Sequence, residues 1–412
     1  MHRVRTSCRY YADHGWSPTV LAVRPEDCGR LIDERLTQTV PSEIRIVRTG
    51  AFPERWARPL GFSALAFRAW QPLKAAGDRL IREISPDLVY FSTTAFPVMA
   101  LGDRWRRRFA TPFVLDLHDP WYTTPPSATS FRRPGLKSRM MYAIHRRLEA
   151  RAMRSVSGLI AVSDRYVPAL ETAYPRLEGV PRDTIPFGIE ALDFEVARRT
   201  GKPVSSGFDR STTRLGLYAG RVSDGMLPTL KMLLATLAAG ADRPAIRDFR
   251  LGFLGTGYQL SGNPLIAAPL ADEMGLQEVV REQPDRVSLM DSLSTLAQAD
   301  VLLILGSEDK AYQPSKLFQY LATDRPILCV AAADAPFARQ VAGLDSVFLL
   351  DSARPPQDQV TALADWLARA AGRPVEAEPG RQVLAEQFSA RAMAARECAL
   401  FDAALASAGT DQ

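Results

Sequence analysis

The stretch Ala299-Asp300-Val301-Leu302-Leu303-Ile304-Leu305, followed by Tyr312-Gln313-Pro314-Ser315-Lys316-Leu317-Phe318-Gln319-Tyr320-Leu321-Ala322 and Arg325-Pro326-Ile327-Leu328-Cys329-Val330, sets the architecture. Two continuous apolar runs, Val301–Leu305 and Ile327–Val330, flank a helical stretch, Pro314–Ala322. Continuous rather than alternating apolar runs mark strands buried on both faces, the pattern of a parallel sheet covered by helices. The same rhythm extends outward through Leu215–Ala219, Phe249–Gly255, Arg286–Leu289 and Ser346–Leu349. Nearer the start it appears as Thr19–Val23, Leu88–Phe91, Phe113–Leu117 and Gly158–Val162, with helices such as Leu73–Ile84 and Lys137–Arg154 between them. Strands alternating with helices predict an α/β class. The two series are separated by Gly179–Arg214, rich in Pro, Gly, Ser and Thr, which reads as an interdomain linker. The expected organisation is therefore two Rossmann-like, doubly wound domains facing across a cleft, residues 1–187 and 188–380. Open α/β sheets bind ligands beyond the C-terminal ends of their strands, so the cleft is the default site.

Composition narrows the classes. At 412 residues, 46% hydrophobic and 24% charged, the chain can bury large cores, which rules out wholesale disorder. Its longest apolar runs fall far short of the roughly 20 residues of a membrane helix. The opening MHRVRTSCRYYADHGW has basic residues with no apolar segment behind them, so no secretory signal is read there. The four cysteines, Cys8, Cys28, Cys329 and Cys398, stand far apart without a CxxC pair, against a zinc site or a disulfide framework. A cytosolic protein is expected. Of the 51 basic residues only Lys74, Lys137, Lys202, Lys231, Lys310 and Lys316 are lysines. An arginine bias of that kind reflects genome composition, so arginine clusters are discounted as nucleic-acid evidence, and no RNA-binding motif or zinc finger appears. No nucleic-acid partner is expected.

The order and spacing of several motifs carry a resemblance. In the second half, Leu215–Ala219 ends in Gly220-Arg221, Leu251-Gly252-Phe253-Leu254 runs into Gly255-Thr256-Gly257, and the Tyr312–Ala322 segment follows. In the first half stand Ser85-Pro86-Asp87-Leu88-Val89-Tyr90, Asp116-Leu117-His118-Asp119-Pro120-Trp121, Ile160-Ala161-Val162-Ser163 and Ile185-Pro186-Phe187-Gly188-Ile189. Together they resemble GT-B glycosyltransferases of the retaining family-4 type over nearly the whole chain. The resemblance implies an acceptor-side first domain, a donor-binding second domain, and a last helix, Arg381–Leu405, that crosses back to complete the first. It implies transfer of a sugar from a nucleotide-sugar donor to a glycan or polyprenyl-linked acceptor, with no metal and no cofactor beyond the donor itself.

The residue types suit that chemistry. A departing diphosphate needs its charge stabilised. Arg221, just past a strand, can hold phosphate through two parallel hydrogen bonds. Lys316 opens a helix whose dipole also favours an anion, and Ser315 beside it is a helix cap or a phosphate contact. Gly220, Gly255 and Gly257 permit close backbone approach to a ligand. Gln319 falls where the resembled enzymes carry a glutamate that holds the donor ribose, and Ala311 where they carry an earlier acidic residue; Glu308 and Asp309 are the nearby substitutes. His118 is expected over the donor sugar or the acceptor, so that catalytic roles go to His118, Arg221 and Lys316. The basic residues of Pro134–Arg154, above an apolar stripe of Met141, Ile144, Leu148 and Ala152, offer a face for peripheral contact with the inner surface of the membrane.

The chain opens in a helix where the resembled enzymes open with a strand and a Gly-rich loop, so the first sheet is expected to lack a strand. Two rivals follow: a non-catalytic GT-B protein of a glycan-assembly pathway, and another GT-B enzyme such as an epimerase, which the four histidines disfavour. A Rossmann dehydrogenase is disfavoured because no GxGxxG follows either first strand.

Overall fold

In the computed structural model, which describes residues 2–29, 31–59, 61–121, 136–164, 166–309 and 312–410, the chain forms two compact units. The first comprises Met1–Arg30, Val40–Gly188 and Ala390–Gln412, the second Leu31–Thr39 and Ile189–Ser389. Every strand pair in both is parallel.

In the first unit, β1 (Thr19–Val23) and β2 (Arg45–Thr49) pair only with each other among the described residues. A separate four-stranded sheet follows, formed by β3 (Val89–Ser92), β4 (Phe113–Leu117), β5 (Gly158–Ala161) and β6 (Arg182–Thr184) in that order. Among the described residues no strand joins β2 to β3. The central strands β4 and β5 are fully buried. On one face the helix Trp70–Ile84 turns Leu73 and Ile81 inward to join Phe91, Phe113 and Leu115. On the other, the last helix, Ala390–Thr410, lays Met393, Ala394, Phe401 and Ala404 against Val114 and Ile160.

The second unit carries β7 (Arg214–Ala219), β8 (Phe249–Leu254), β9 (Val280–Gln283), β10 (Val301–Leu305), β11 (Ile327–Ala331) and β12 (Val347–Asp351). Their order is β12-β11-β10-β7-β8-β9. That is the doubly wound order, whose direction reverses between β7 and β10. Cores on both faces of the sheet share the apolar side chains of β7, β8, β10 and β11.

Four expectations need correction. The strand expected at Arg286–Leu289 lies earlier, at β9, because Pro284 ends it and the Ser288 side chain then accepts the Asp291 N–H at 3.1 Å to cap the helix Leu289–Leu296. The stretch Gly179–Arg214 is not a plain linker: it contains β6 and the helix Ala191–Thr200, capped by Glu190. Its remaining coil is pinned to the second unit, where Asp291 and Thr295 accept the Lys202 and Val204 N–H groups at 2.7 and 3.0 Å. The helix expected at Arg381–Leu405 is broken at Phe388–Ser389, and only Ala390–Thr410 belongs to the first unit. Finally, Leu31–Thr39, expected in the first domain, belongs to the second. Arg35 holds it there, donating to Asp291, Ser288 and the Thr200 carbonyl at 2.7, 2.7 and 2.9 Å, which pulls the Asp291 carboxyl down to about 2.

Candidate functional site

In the second unit, β7 ends in Gly220-Arg221, and β10 leads to the helix Ser315–Leu321. These two strands flank the point where the sheet order reverses, the ligand-binding position of doubly wound sheets. Lys316 projects back across this point. Its ammonium stands 3.9 Å from the centre of the Tyr218 ring, a cation–π contact. Gly220 makes room for it: a Cβ there would come within 2.4 Å of Lys316 Nζ, and its φ of +129° suits glycine. The Tyr218 hydroxyl donates to the Arg221 carbonyl at 2.8 Å and so fixes the turn. Arg221 itself is exposed, its guanidinium 5.2 Å from the Tyr258 ring.

No carboxylate pairs with Lys316, Arg221 or Arg286 among the described residues. Burial, with the nearby positive charge of Arg286 adding to it, lowers the Lys316 pKa from 10.5 to about 7. An anion bound beside this ammonium would relieve both effects, because an opposite charge favours the protonated form.

The other residues expected here divide. Gly255 and Gly257 donate their N–H groups to the Gln283 and Pro284 carbonyls at 2.7 and 2.9 Å, so these amides lock β8 to β9. The close approach at Gly257 is to Asn263, whose side chain lies 2.1 Å from where a Cβ would stand. Beside this turn the Glu282 carboxylate accepts the N–H groups of Ile266, Ala267 and Ala268 and the Thr256 hydroxyl. The protein thus supplies its own anion to that helix start. Ser315 is exposed and makes no cap, since Pro314 is the capping position. Gln319 lies one turn after Lys316, half-buried, with no side-chain hydrogen bond among the described residues. Ala311 lies outside the described residues. Glu308 and Asp309 lie in the loop after β10, the Glu308 N–H donating to the Gly225 carbonyl at 2.9 Å.

The first unit holds a different constellation. His118 follows β4, with Nε2 2.6 Å from Asp116 Oδ2 and 3.0 Å from Ser92 Oγ. Because Asp116 is an acceptor, Nε2 carries the proton toward it, and Nδ1 is the nitrogen the ring can offer elsewhere. The ring packs edge-on against Phe187, 5.0 Å between centres. Asp116 Oδ2 also accepts from Tyr90 and Ser92 at 2.9 and 2.7 Å and pairs with Arg3 Nε at 2.8 Å.

Arg3, 1% exposed, further donates to Glu397 Oε1 at 3.2 Å and to the carbonyls of Ile185 and Pro186 at 2.6 and 3.0 Å. Tyr11 and Ser7 donate to Glu397 at 2.5 and 3.2 Å. Burial pushes the Glu397 carboxyl from 4.5 up to about 7 against the pull of Arg3, its partner Tyr11 also favouring the charged form. Burial likewise opposes the ionised Asp116, but Arg3 and the hydrogen bond from His118 outweigh it and hold its carboxyl below the usual range.

Sequence reasoning named Arg221, Lys316 and His118 but did not single out the residues the structure places around them, Tyr218 and Arg286 beside Lys316, and Asp116, Arg3 and Glu397 beyond His118. One signal was available: Asp116 is the lone carboxylate inside the apolar run Phe113–Leu117, and a charge buried in a central strand requires partners.

Comparison with known proteins bears on both units. Residues 2–190 match Glycosyltransferase Family 4. The crystal structure of a glycosyltransferase from Rickettsia africae aligns with a TM-score of 0.55 at 13% identity, over 98% of this chain and 94% of that one. The N-terminal domain of trehalose-6-phosphate phosphatase from Candida albicans aligns with a TM-score of 0.55 at 13% identity, over 97% of this chain and 93% of that one. At such identities the structural likeness establishes the fold, two Rossmann-like domains of the GT-B type. No curated protein matches the chain.

Proposed function

From the match of residues 2–190 to Glycosyltransferase Family 4, we propose that the chain transfers a hexosyl group from a nucleotide-sugar donor to a glycan or polyprenyl-linked acceptor, with retention and without a metal. The carrying observation is the group of cations without counter-charges, Lys316 and Arg221 with Arg286 nearby, at the reversal point of the second sheet. Such a group suits the diphosphate of a nucleotide sugar.

In this reading the bond between the anomeric carbon and the departing phosphate oxygen breaks, and the acceptor oxygen bonds to the same face of the sugar. The acceptor proton passes to the phosphate. Lys316 and Arg221 take up the charge that accumulates on the diphosphate, an interaction stronger in the transition state than in the ground state. Gln319 is assigned to the donor ribose through its amide. His118 is assigned to the sugar or acceptor through Nδ1, with Asp116 holding its ring. The pathway is surface polysaccharide or glycoconjugate synthesis, at the cytoplasmic side. Peripheral contact with the membrane surface fits a chain in which no described helix is long and apolar enough to span a bilayer.

Calorimetric titration with UDP and GDP tests the assignment. One of the two should bind, and His118→Ala should slow sugar transfer more than it weakens nucleotide binding. Binding of neither nucleotide would favour the rival of a non-catalytic protein, for which Gln319 and the interrupted first sheet speak.

A further inference from the structure

A second concentration of cations lies in the first unit. The helix Leu101–Phe109 and the helix Leu136–Met153 border a concavity of about 480 Å³ lined by Arg107, Arg147, Ala150, Arg151 and Arg154. Four arginines line it, and the carboxylate that pairs with two of them, Asp103, is itself fully buried.

Asp103 orients two of the four. Its Oδ2 takes Arg107 Nη2 at 2.8 Å and Arg151 Nε at 3.0 Å, and its Oδ1 accepts the Ser155 hydroxyl at 3.0 Å. Arg107 Nε also donates to the Asp103 carbonyl at 3.3 Å. These bonds fix the stems of Arg107 and Arg151 while leaving further N–H groups on each guanidinium. Arg147 and Arg154 are exposed and make no ion pair among the described residues. Arginine bias in composition explains many arginines, but it does not explain two locked onto a buried acid with two unpaired beside them.

Like charges so close repel one another. The negative ends of the two helices, near which Arg107, Arg151 and Arg154 sit, offset part of that repulsion. One carboxylate offsets another part, and the remainder favours an added anion. Guanidinium forks suit the oxygens of a phosphate group, which accept two parallel N–H bonds from each fork.

We propose that this concavity is a binding site for a phosphate-bearing ligand, separate from the donor site of the second unit. Free phosphate compounds and the headgroups of a lipid surface present the same chemistry to it, and experiment separates the two sources. The full chain and its Arg147→Ala/Arg154→Ala variant are titrated with inorganic pyrophosphate, and both are sedimented with phosphatidylcholine vesicles that contain or lack phosphatidylglycerol. Comparing variant with parent cancels binding at any other site. Both side chains are exposed and without ion partners, so the melting temperature of the variant should match that of the parent.

For a free ligand, pyrophosphate affinity should fall about tenfold or more in the variant, the loss expected from charged hydrogen bonds. For a headgroup, the parent should sediment with the phosphatidylglycerol vesicles alone and the variant should not. Equal behaviour of parent and variant in both assays, or binding of neither probe by the parent, would overturn the proposal.

Discussion

Asp116 and Glu397 in the first unit, and Lys316 in the second, are all charged groups withdrawn from water, but they are treated in opposite ways. Around Arg3 every charge has a partner: Asp116 and Glu397 flank one guanidinium, and Tyr11, Tyr90, Ser7, Ser92 and His118 supply the remaining contacts. Around Lys316 the neighbours are an aromatic face and another cation. A closed network of the first kind holds helices and strands together, because each member loses if another leaves. An open cluster of the second kind costs free energy until an anion arrives. The difference separates architecture from binding within one chain, and it places His118 at the border, with one nitrogen in the closed network and the other available.

The largest effect should come from opening the closed network. Arg3→Ala leaves two buried carboxylates without their cation, which costs about 3–5 kcal/mol of folding stability. Urea denaturation measures it. The same truncation at Lys316 removes no ion partner and should leave stability equal or higher. Similar losses in the two variants would break the distinction.

The next effect belongs to the open cluster. Lys316→Ala and Arg221→Ala should each weaken UDP or GDP binding by about 1.5–3 kcal/mol, as expected for charged hydrogen bonds. Isothermal titration reads this directly, and unchanged affinity in both variants would remove the diphosphate from this position.

These contrasts show what was legible beforehand. The alternation of apolar runs revealed the parallel sheets, and Gly220-Arg221 with Pro314-Ser315-Lys316 revealed the open cluster, because its residues sit in short local motifs beside strand ends. Arg3 and Glu397 stand at opposite ends of the sequence and meet only when the last helix packs on the first sheet, so no spacing announces them. The strand β9, Val-Arg-Glu-Gln, was hidden because two of its four residues are charged, and Glu282 among them serves as a helix cap. The run at Val287–Leu289 drew the assignment instead, until Ser288 turned it into a helix start. The glycines of Gly255-Thr256-Gly257 were visible, but not that their amides are spent on β9.

Acidity sharpens the comparison further. Glu397 titrates at about 7 in the folded chain against 4.5 ordinarily, so between those values the folded state holds a proton that the unfolded state has lost. Stability from this group therefore falls as pH rises through that window. Lys316 titrates at about 7 against 10.5, so above 7 the unfolded state holds the extra proton and stability rises with pH. The two contributions together produce a shallow minimum near neutrality. Glu397→Gln should flatten the descending limb and Lys316→Met the ascending one, as followed by melting temperature across pH. If neither substitution alters the slope on its own side, the two groups do not titrate as described.

The smallest effect comes from giving the open cluster a counter-charge of its own. Gln319 sits three residues after Lys316 on the helix Ser315–Leu321, a spacing at which side chains are neighbours. Gln319→Glu would place a carboxylate there, as in the enzymes the sequence resembles, and move the second site toward the paired condition of the first. A pair at this spacing contributes only about 0.2–0.5 kcal/mol, so the gain in stability should be slight. It should be larger near pH 6 than near pH 8, roughly speaking, because the pair forms only with Lys316 protonated and the ammonium begins to lose its proton above about 7. The apparent pKa of Lys316, followed by the pH dependence of its reaction with an amine reagent, should accordingly rise above the parent's value of about 7. An unaltered pKa would mean that residue 319 does not face the ammonium, and the ribose assignment of Gln319 beside a diphosphate held by Lys316 would fall with it.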